Sequence, residues 1–406
     1  MDKISPTLNC QNIIKSRKEN NLPVYNFGLG ANCISQPDFY IQKVQEYAGK
    51  KNYTSVQGIS ELQDSIINNF STETYAIDNV LIGNGLKELL YIIQLSFVGK
   101  IYHITPSWVS YKEQIRILNK ECDLIEIETN LKNNYKINLN DLETSLKKYK
   151  NDKKLILFNN PNNPTGTFHN PEEVKLIANL LNKYNCIVLA DEIYMNLTHF
   201  NKIETISTYI PHLTIRSSSV SKDLGCGGYR LGWLTFPKEL KNLYKKCSAN
   251  ASSIYSCTST PIQYATSSML NNKSLFTKHC NYNNKVYKHI VCNLCKILDK
   301  SKIKFVKPTS AWYIFANFSN YKKSLENLGV TNSYELNSLF LNKIGIISVP
   351  GECFNISGLN LRFSLIDIDT DNIFLINELI NTTCYSKMIE GFTKLINFLN
   401  NIQKYN

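Results

Sequence analysis

From about residue 78 to residue 236 the chain repeats one pattern, a short apolar run followed by a stretch of helical periodicity. "NVLIG" precedes "LKELLYIIQLSF", "KIYHIT" precedes "YKEQIRILNKE", and "CDLIEIE" precedes "LNDLETSLKKYK". "KLILFNN" leads to "PEEVKLIANLLNKY", and "CIVLADEIY", "LTIRSSSVS" and "RLGWLTFP" follow. Strand alternating with helix predicts a mostly parallel sheet with helices on both faces, a three-layer α/β domain. After roughly residue 300 the pattern changes to "IKFVKPTSAWYIFANF", the helical "SYELNSLFLNKIG", "NLRFSLID" and a C-terminal helix. That segment reads as a smaller α+β domain. The predicted limits are 1–45 for an N-terminal arm and part of the small domain, 46–300 for the large domain, and 301–406 for the small one.

In open parallel sheets, ligands bind beyond the carboxyl ends of the strands. Here those ends carry "GNGLKE", "PSWVSY", "NNPNNPTG", "DEIY" and "SSVSK". Any one of them is explained as a turn. Five turns that supply a complementary set of polar, glycine and aromatic groups predict a site.

Composition narrows what the site serves. The longest apolar run, around "LLYIIQLSFVG", falls far short of the ~20 residues that span a bilayer. The first residues show no apolar h-region, so no secretory signal is expected and the cytoplasm is the expected compartment. The twelve cysteines have no framework spacing. The one CxxC, Cys292 to Cys295 with His289 nearby, reads as two small side chains one turn apart on an amphipathic helix, and no metal is expected. The net charge of +12 is nearly all scattered lysine, with no basic stripe among aromatics, so no nucleic-acid partner is expected.

Lys222 follows an apolar run and precedes a glycine-rich turn, a position that places its amine inside the fold. Burial lowers a lysine's pKa, which suits it to Schiff-base formation with an aldehyde and then to proton transfer. An aldehyde cofactor bearing a phosphate needs an anion cradle. Ser219 and Arg230 flank the lysine at three residues before and eight after. "GNGLKE" opens a helix whose free N–H groups favour phosphate, and a guanidinium adds two donors. Asp191 ends "CIVLA", where a carboxylate is costly to bury without a cation. A protonated pyridine nitrogen is such a cation, and an N-cap or a metal ligand is the alternative. Tyr194, three residues on, adds a phenol able to bond a ring oxygen.

With these residues in place the sequence resembles the fold-type-I pyridoxal-phosphate enzymes of the class I/II aminotransferase (aspartate aminotransferase) superfamily. The likeness runs from "YTSVQGISELQ" to "NLRFSL" through GxGxKE, PSWxSY, NPNNPTG, DEIY, SxSK with GxRLGW, and LRFS, in the family's order. It implies pyridoxal 5'-phosphate held covalently by Lys222, with Asp191 at the ring nitrogen and Tyr194 and Asn163 at the ring hydroxyl. Ser219, Arg230 and the backbone of Gly85, Leu86 and Lys87 would bind phosphate, and Trp108 would lie over the ring. Arg362 matches the arginine that clamps the substrate α-carboxylate, and Asn163 would share in substrate binding. Tyr53 matches a tyrosine that reaches the neighbouring subunit's phosphate, which implies a homodimer. Two stretches depart from the family pattern. In "FGLGANCISQPDF" an asparagine- and cysteine-bearing loop replaces the usual Gly/Pro-rich turn, and "VPGECFN" only resembles the small-domain substrate loop.

The activity this implies is ping-pong transfer of an amino group between an L-amino acid and a 2-oxo acid. Other reactions on the same platform remain open here: C–S β-elimination, γ-elimination, racemisation or decarboxylation. A reading of another class is a non-catalytic regulator, against which stand a complete site and no visible helix-turn-helix. Of the five arginines, only Arg17, Arg116 and Arg216 remain besides Arg230 and Arg362. With no motif-placed arginine for a distal carboxylate, a donor with a neutral side chain is expected.

Overall fold

The computed structural model describes residues 6–199, 203–370 and 382–404. Seven strands form the main sheet: β1 (Asn79–Gly83), β2 (Lys100–Thr105), β3 (Leu124–Glu128), β4 (Lys154–Asn159), β5 (Cys186–Asp191), β6 (Thr214–Ser219) and β7 (Gly232–Phe236). Their order across the sheet is β1-β7-β6-β5-β4-β2-β3. Strands β2 to β6 pair in parallel, while β7 runs against both of its neighbours. The connection between β6 and β7, residues 220–231, holds the short helix Val220–Asp223 and the glycine-rich turn.

Alternate residues of each strand feed opposite cores. Leu155 and Leu157 of β4 join Leu81, Leu189, Ile215 and Leu234 under the helix Leu86–Ser96. Ile156 and Phe158 join Tyr102, Val188 and Ala190 under Pro171–Lys183. That second helix begins with Asn170 and Glu173 bonded reciprocally, a capping box that fixes its start.

The last third of the chain builds a second, antiparallel sheet from Val349–Pro350, Asn360–Ser364, Tyr313–Asn317 and Lys304–Phe305, in that order. The helices Lys273–Leu298 and Ser386–Lys404 cover it. Tyr25–Asn26 pairs in parallel with Ile346–Ile347, and Phe27 stacks on Phe392 at 4.8 Å, so the start of the chain belongs with its end. By the helix Asp38–Glu46 the chain has crossed over, because Tyr40 packs with Leu62, Ile66, Ala265 and Met269 beside the main sheet. The segment between, residues 27–37, passes the carboxyl end of that sheet. Cys292 and Cys295 lie on Lys273–Leu298, with Cys295 in the core and the His289 ring bonded to Asn293 and Tyr385. Among the described residues no helix is long and apolar enough to cross a membrane.

One of the rare arginines holds the sheet from behind. Arg216 of β6 and Glu192, just past β5, form a buried ion pair at 2.7 Å. The guanidinium also donates to the Phe70 carbonyl at 2.6 Å and lies 5.6 Å from the Tyr75 ring centroid. Removing one partner of such a pair strands a charge. Arg216→Met is therefore expected to cost about 3–5 kcal/mol in urea unfolding, well above the effect of Arg116→Met, whose partner Glu113 is exposed.

Candidate active site

The carboxyl ends of the central strands stop in register, with Asn159 beside Asp191 and Asp191 beside Ser217. Beyond them opens a cavity of about 280 Å³. The main sheet's side of its wall carries Leu86, Lys87, Trp108, Asn163, Asp191, Tyr194, Lys222 and Arg230. Leu29, Gly30 and Ala31 of the crossing segment and Tyr313 and Arg362 of the second sheet close the other side. A wider groove of about 620 Å³ at the opposite end of the strands, flanked by Lys150, Lys153 and Lys246, gathers no such complementary set.

Lys222 is half-buried and lines this cavity. Its amine donates to the Gly30 carbonyl and lies 5.9 Å from the Tyr194 ring and 5.8 Å from the Trp312 ring. Burial is the main cause that lowers its pKa to about 8. The Arg362 charge adds to this, Asp191 opposes it, and Lys87 and Arg230 contribute further. A lysine so placed has an unprotonated amine available near neutral pH.

Asp191 is buried and accepts hydrogen bonds from the Tyr111 hydroxyl and from the Ile193 N–H at 3.3 Å. Burial raises its carboxyl to about 6, against the lowering effect of Tyr111. No cation pairs with it directly among the described residues. Asn159 braces its backbone, donating to the Asp191 carbonyl at 3.1 Å and accepting from the Asn163 N–H at 2.8 Å.

Arg362 is 1% exposed, yet no carboxylate faces it among the described residues. It donates to Asn163 Oδ1 at 3.1 Å and to the Gly28 carbonyl at 2.6 Å, and its Nε has no partner. Tyr313 and Phe354 lie 4.8 and 5.1 Å from the guanidinium carbon. A buried guanidinium with a free donor and no counter-ion is built for an anionic ligand.

At the far wall, Gly85 caps the helix Leu86–Ser96 with φ of 82°. A Cβ there would sit 2.5 Å from Arg230 Nη2, so only glycine lets the guanidinium lie against the helix start. Arg230 donates to the Asn84 carbonyl at 2.9 Å and the Gly227 carbonyl at 2.7 Å. Lys87 projects its amine 5.2 Å from the Trp108 ring, with its pKa lowered by burial and by Arg230. The cavity thus holds four cationic side chains and one carboxylate.

Two sequence-predicted side chains are not on the cavity wall. Ser219 is fully buried, and its hydroxyl caps Val220–Asp223 by accepting from the Ser221 N–H at 3.1 Å. Ser221 is the serine on the cavity wall. Tyr53 is 91% exposed and edges a separate surface hollow with Lys50, Cys257 and Pro261. Tyr111, Asn159 and Tyr313 are additions. The first two lay inside quoted motifs, whereas Tyr313, bonded to Tyr194 at 2.7 Å, sits in an apolar strand and gave no sign.

The site therefore joins a buried amine, a buried acid and an anion clamp at the end of a parallel sheet. Residues 23–375 match the model of the family "Aminotransferase class I and II". The chain is 29% identical over 366 residues to an aspartate aminotransferase of Sulfolobus acidocaldarius, covering 86% of each. It is 29% identical over 380 residues to an asparagine–oxo-acid transaminase of Streptococcus mutans, covering 89% of this chain and 91% of that one. The solved aspartate aminotransferase of Thermotoga maritima superposes with a TM-score of 0.80 at 23% identity, covering 98% of both chains. The chain belongs to the class I and II aminotransferase family. It is an enzyme that transfers an amino group between an amino acid and an oxo acid, and the family generally depends on pyridoxal phosphate.

The raised Asp191 carboxyl has a consequence for stability. The folded chain holds that proton more tightly than the unfolded chain does. The cost of ionising it is absent below pH 3.8, grows up to about 6, and is complete above. A rise from 3.8 to about 6 corresponds to about 3 kcal/mol. Asp191→Asn is expected to stabilise the cofactor-free protein by up to that amount at pH 7, with the gain fading toward pH 4, as read from urea melts at stepped pH.

Proposed function

We propose that this aminotransferase uses pyridoxal 5'-phosphate tethered to Lys222 and accepts dicarboxylic amino donors and 2-oxo acids in a ping-pong cycle. The observation that carries the cofactor assignment is the donor set itself. Asp191 is a buried anion with no direct cation and suits a pyridine nitrogen. The N–H groups at Gly85, Leu86 and Lys87, with Arg230, Ser221 on the cavity wall and Ser219 at the start of the lysine's helix, suit a phosphate. Tyr194 and Asn163 suit the ring hydroxyl, and Trp108 the ring face.

When bound, the cofactor supplies an aldehyde to take up the donor's amine and a cationic ring to draw electrons from Cα. The rest falls to this chain's residues. Arg362 grips the α-carboxylate with its Nε, which has no partner among the described residues. Asp191, braced by Asn159 and Tyr111, would face the ring nitrogen, whose cation would keep it ionised. Lys222, with its pKa lowered to about 8, takes the proton from substrate Cα. Gly30, Tyr313 and the crossing segment close over that atom and keep bulk water from it.

The count of arginines points to neutral donors, with Arg17 or a lysine of a partner subunit as the alternative cation; a lysine of the same chain lies nearer. Lys87 brings an ammonium to the cavity wall with no carboxylate paired to it among the described residues. A distal carboxylate would be its natural partner, and a relative named for aspartate supports that reading, while one named for asparagine, whose side chain is a neutral amide, does not bear on it. We also infer a homodimer, because the exposed Tyr53 has no role within its own chain. The twelve free cysteines suit the cytoplasm.

Two measurements test this. Aspartate is expected to convert the bound cofactor to its amine form and release an oxo acid, and Lys222→Ala is expected to lower that rate by about 100-fold or more. No conversion with any amino donor would refute the assignment. Lys87→Met is expected to raise KM for aspartate about 10- to 100-fold while leaving alanine nearly unchanged. Equal effects on both donors would restore the neutral-donor reading.

A further inference from the structure

We propose that Asn32 is a positioning residue for Lys222, clasping the lysine's main chain while its amine is free to act. The proposal rests on Lys222 being the group that works on the substrate. It concerns the stretch where the sequence departs from the family, "GANCIS", in which an asparagine stands in a turn usually rich in glycine and proline.

Lys222 belongs to the four-residue helix Val220–Asp223. Its carbonyl lies in the last turn and has no donor within so short a helix. Asn32 fills that need, with Nδ2 donating to the Lys222 carbonyl at 2.8 Å. Two residues earlier in the same segment, the Gly30 carbonyl accepts from the Lys222 amine. One stretch of three residues therefore holds both ends of the lysine.

The orientation of the Asn32 amide follows from its other bonds. Oδ1 accepts from the Ile34 N–H at 3.0 Å and from the Tyr287 hydroxyl at 2.7 Å. The Tyr287 oxygen in turn accepts from the Cys33 N–H at 3.4 Å, so its proton points to Asn32. The bonds from the Cys33 N–H to Tyr287, from Tyr287 to Asn32 and from Asn32 to Lys222 run in one sense, the Cys33 thiol also lies 3.5 Å from the Tyr287 hydroxyl, and Asn32 and Tyr287 are buried. Asn283, one turn before Tyr287 on the helix Lys273–Leu298, donates to the next carbonyl, that of Asp223, at 2.9 Å. Asn196, just past Tyr194, donates to the Asp223 carboxylate, also at 2.9 Å.

The helix that carries Tyr287 and Asn283 runs from the main sheet into the core of the second sheet. The crossing segment, the long helix and the lysine's turn are thereby locked as one body. A lysine that must exchange partners and move a proton needs a fixed Cα, because its reach is otherwise spent on backbone drift. A proline or glycine at 32 has no side-chain donor and cannot make this bond.

The test compares Asn32→Ala, Tyr287→Phe and the double variant in the full-length holoenzyme, with Lys222→Ala as control. Asn32→Ala is expected to lower kcat about 10- to 100-fold with KM for the donor nearly unchanged. Tyr287→Phe should act in the same direction but less, and the double variant should be no worse than Asn32→Ala. A second readout needs no turnover. Competitive acylation of the cofactor-free protein at stepped pH, followed by peptide mass mapping, should show the Lys222 labelling midpoint shifted upward in Asn32→Ala. A kcat and labelling midpoint equal to wild type in Asn32→Ala, or a fall in melting temperature with both unchanged, would overturn the proposal while an inactive Lys222→Ala leaves the function intact. An active Lys222→Ala would overturn both.

Discussion

The structure depends on parallel strands that stop together. Because β4 and β5 end in register and β6 passes beside them to Ser219, Asn159, Asp191 and Ser217 stand side by side without any loop having to carry them there. Loops then need only supply what a strand end cannot, namely the amine of Lys222, the start of the helix Leu86–Ser96 and the indole of Trp108. Rigid placement of the acid permits economy elsewhere. The two elements that close the cavity from above, the crossing segment and the strand bearing Arg362, can come from a separate sheet because their target is fixed.

Two buried charges illustrate opposite uses of the same physics. Arg216 and Glu192 satisfy each other and hold β5 to β6 from behind. Arg362, equally buried, is left with a bare Nε and no acid. The first arrangement is complete in the folded chain. The second leaves a buried donor unmet among the described residues, and that incompleteness, more than position in a motif, is what singles Arg362 out as a candidate for binding an anion.

Much of this was legible in the sequence. The seven strands stand where the apolar runs lie, and nine of the singled-out residues (Leu86, Lys87, Trp108, Asn163, Asp191, Tyr194, Lys222, Arg230 and Arg362) line one cavity. Strand ends are local signals, so these residues stand out in the sequence. Other features of the site depend on packing that no local signal carries. Tyr313 looks like one more core aromatic in "AWYIFANF", and only the packing of two sheets sets its hydroxyl against Tyr194. Spacing alone does not tell that Ser219 caps the short helix while Ser221 lines the cavity. Lys87 was counted for its N–H alone, since nothing in "GNGLKE" tells where a flexible side chain will lie. Asn32 registered as a departure from pattern, with its partner 190 residues away.

The crowd of cations around a single acid has an effect on the whole chain. Like charges enclosed together repel, so the folded form is under electrostatic tension until counter-charge arrives, and any multivalent anion that enters relieves it by mass action. Folding and loading are then one linked equilibrium: the ionic make-up of the surrounding solution, phosphate and carboxylates above all, helps decide how much of the polypeptide stays assembled.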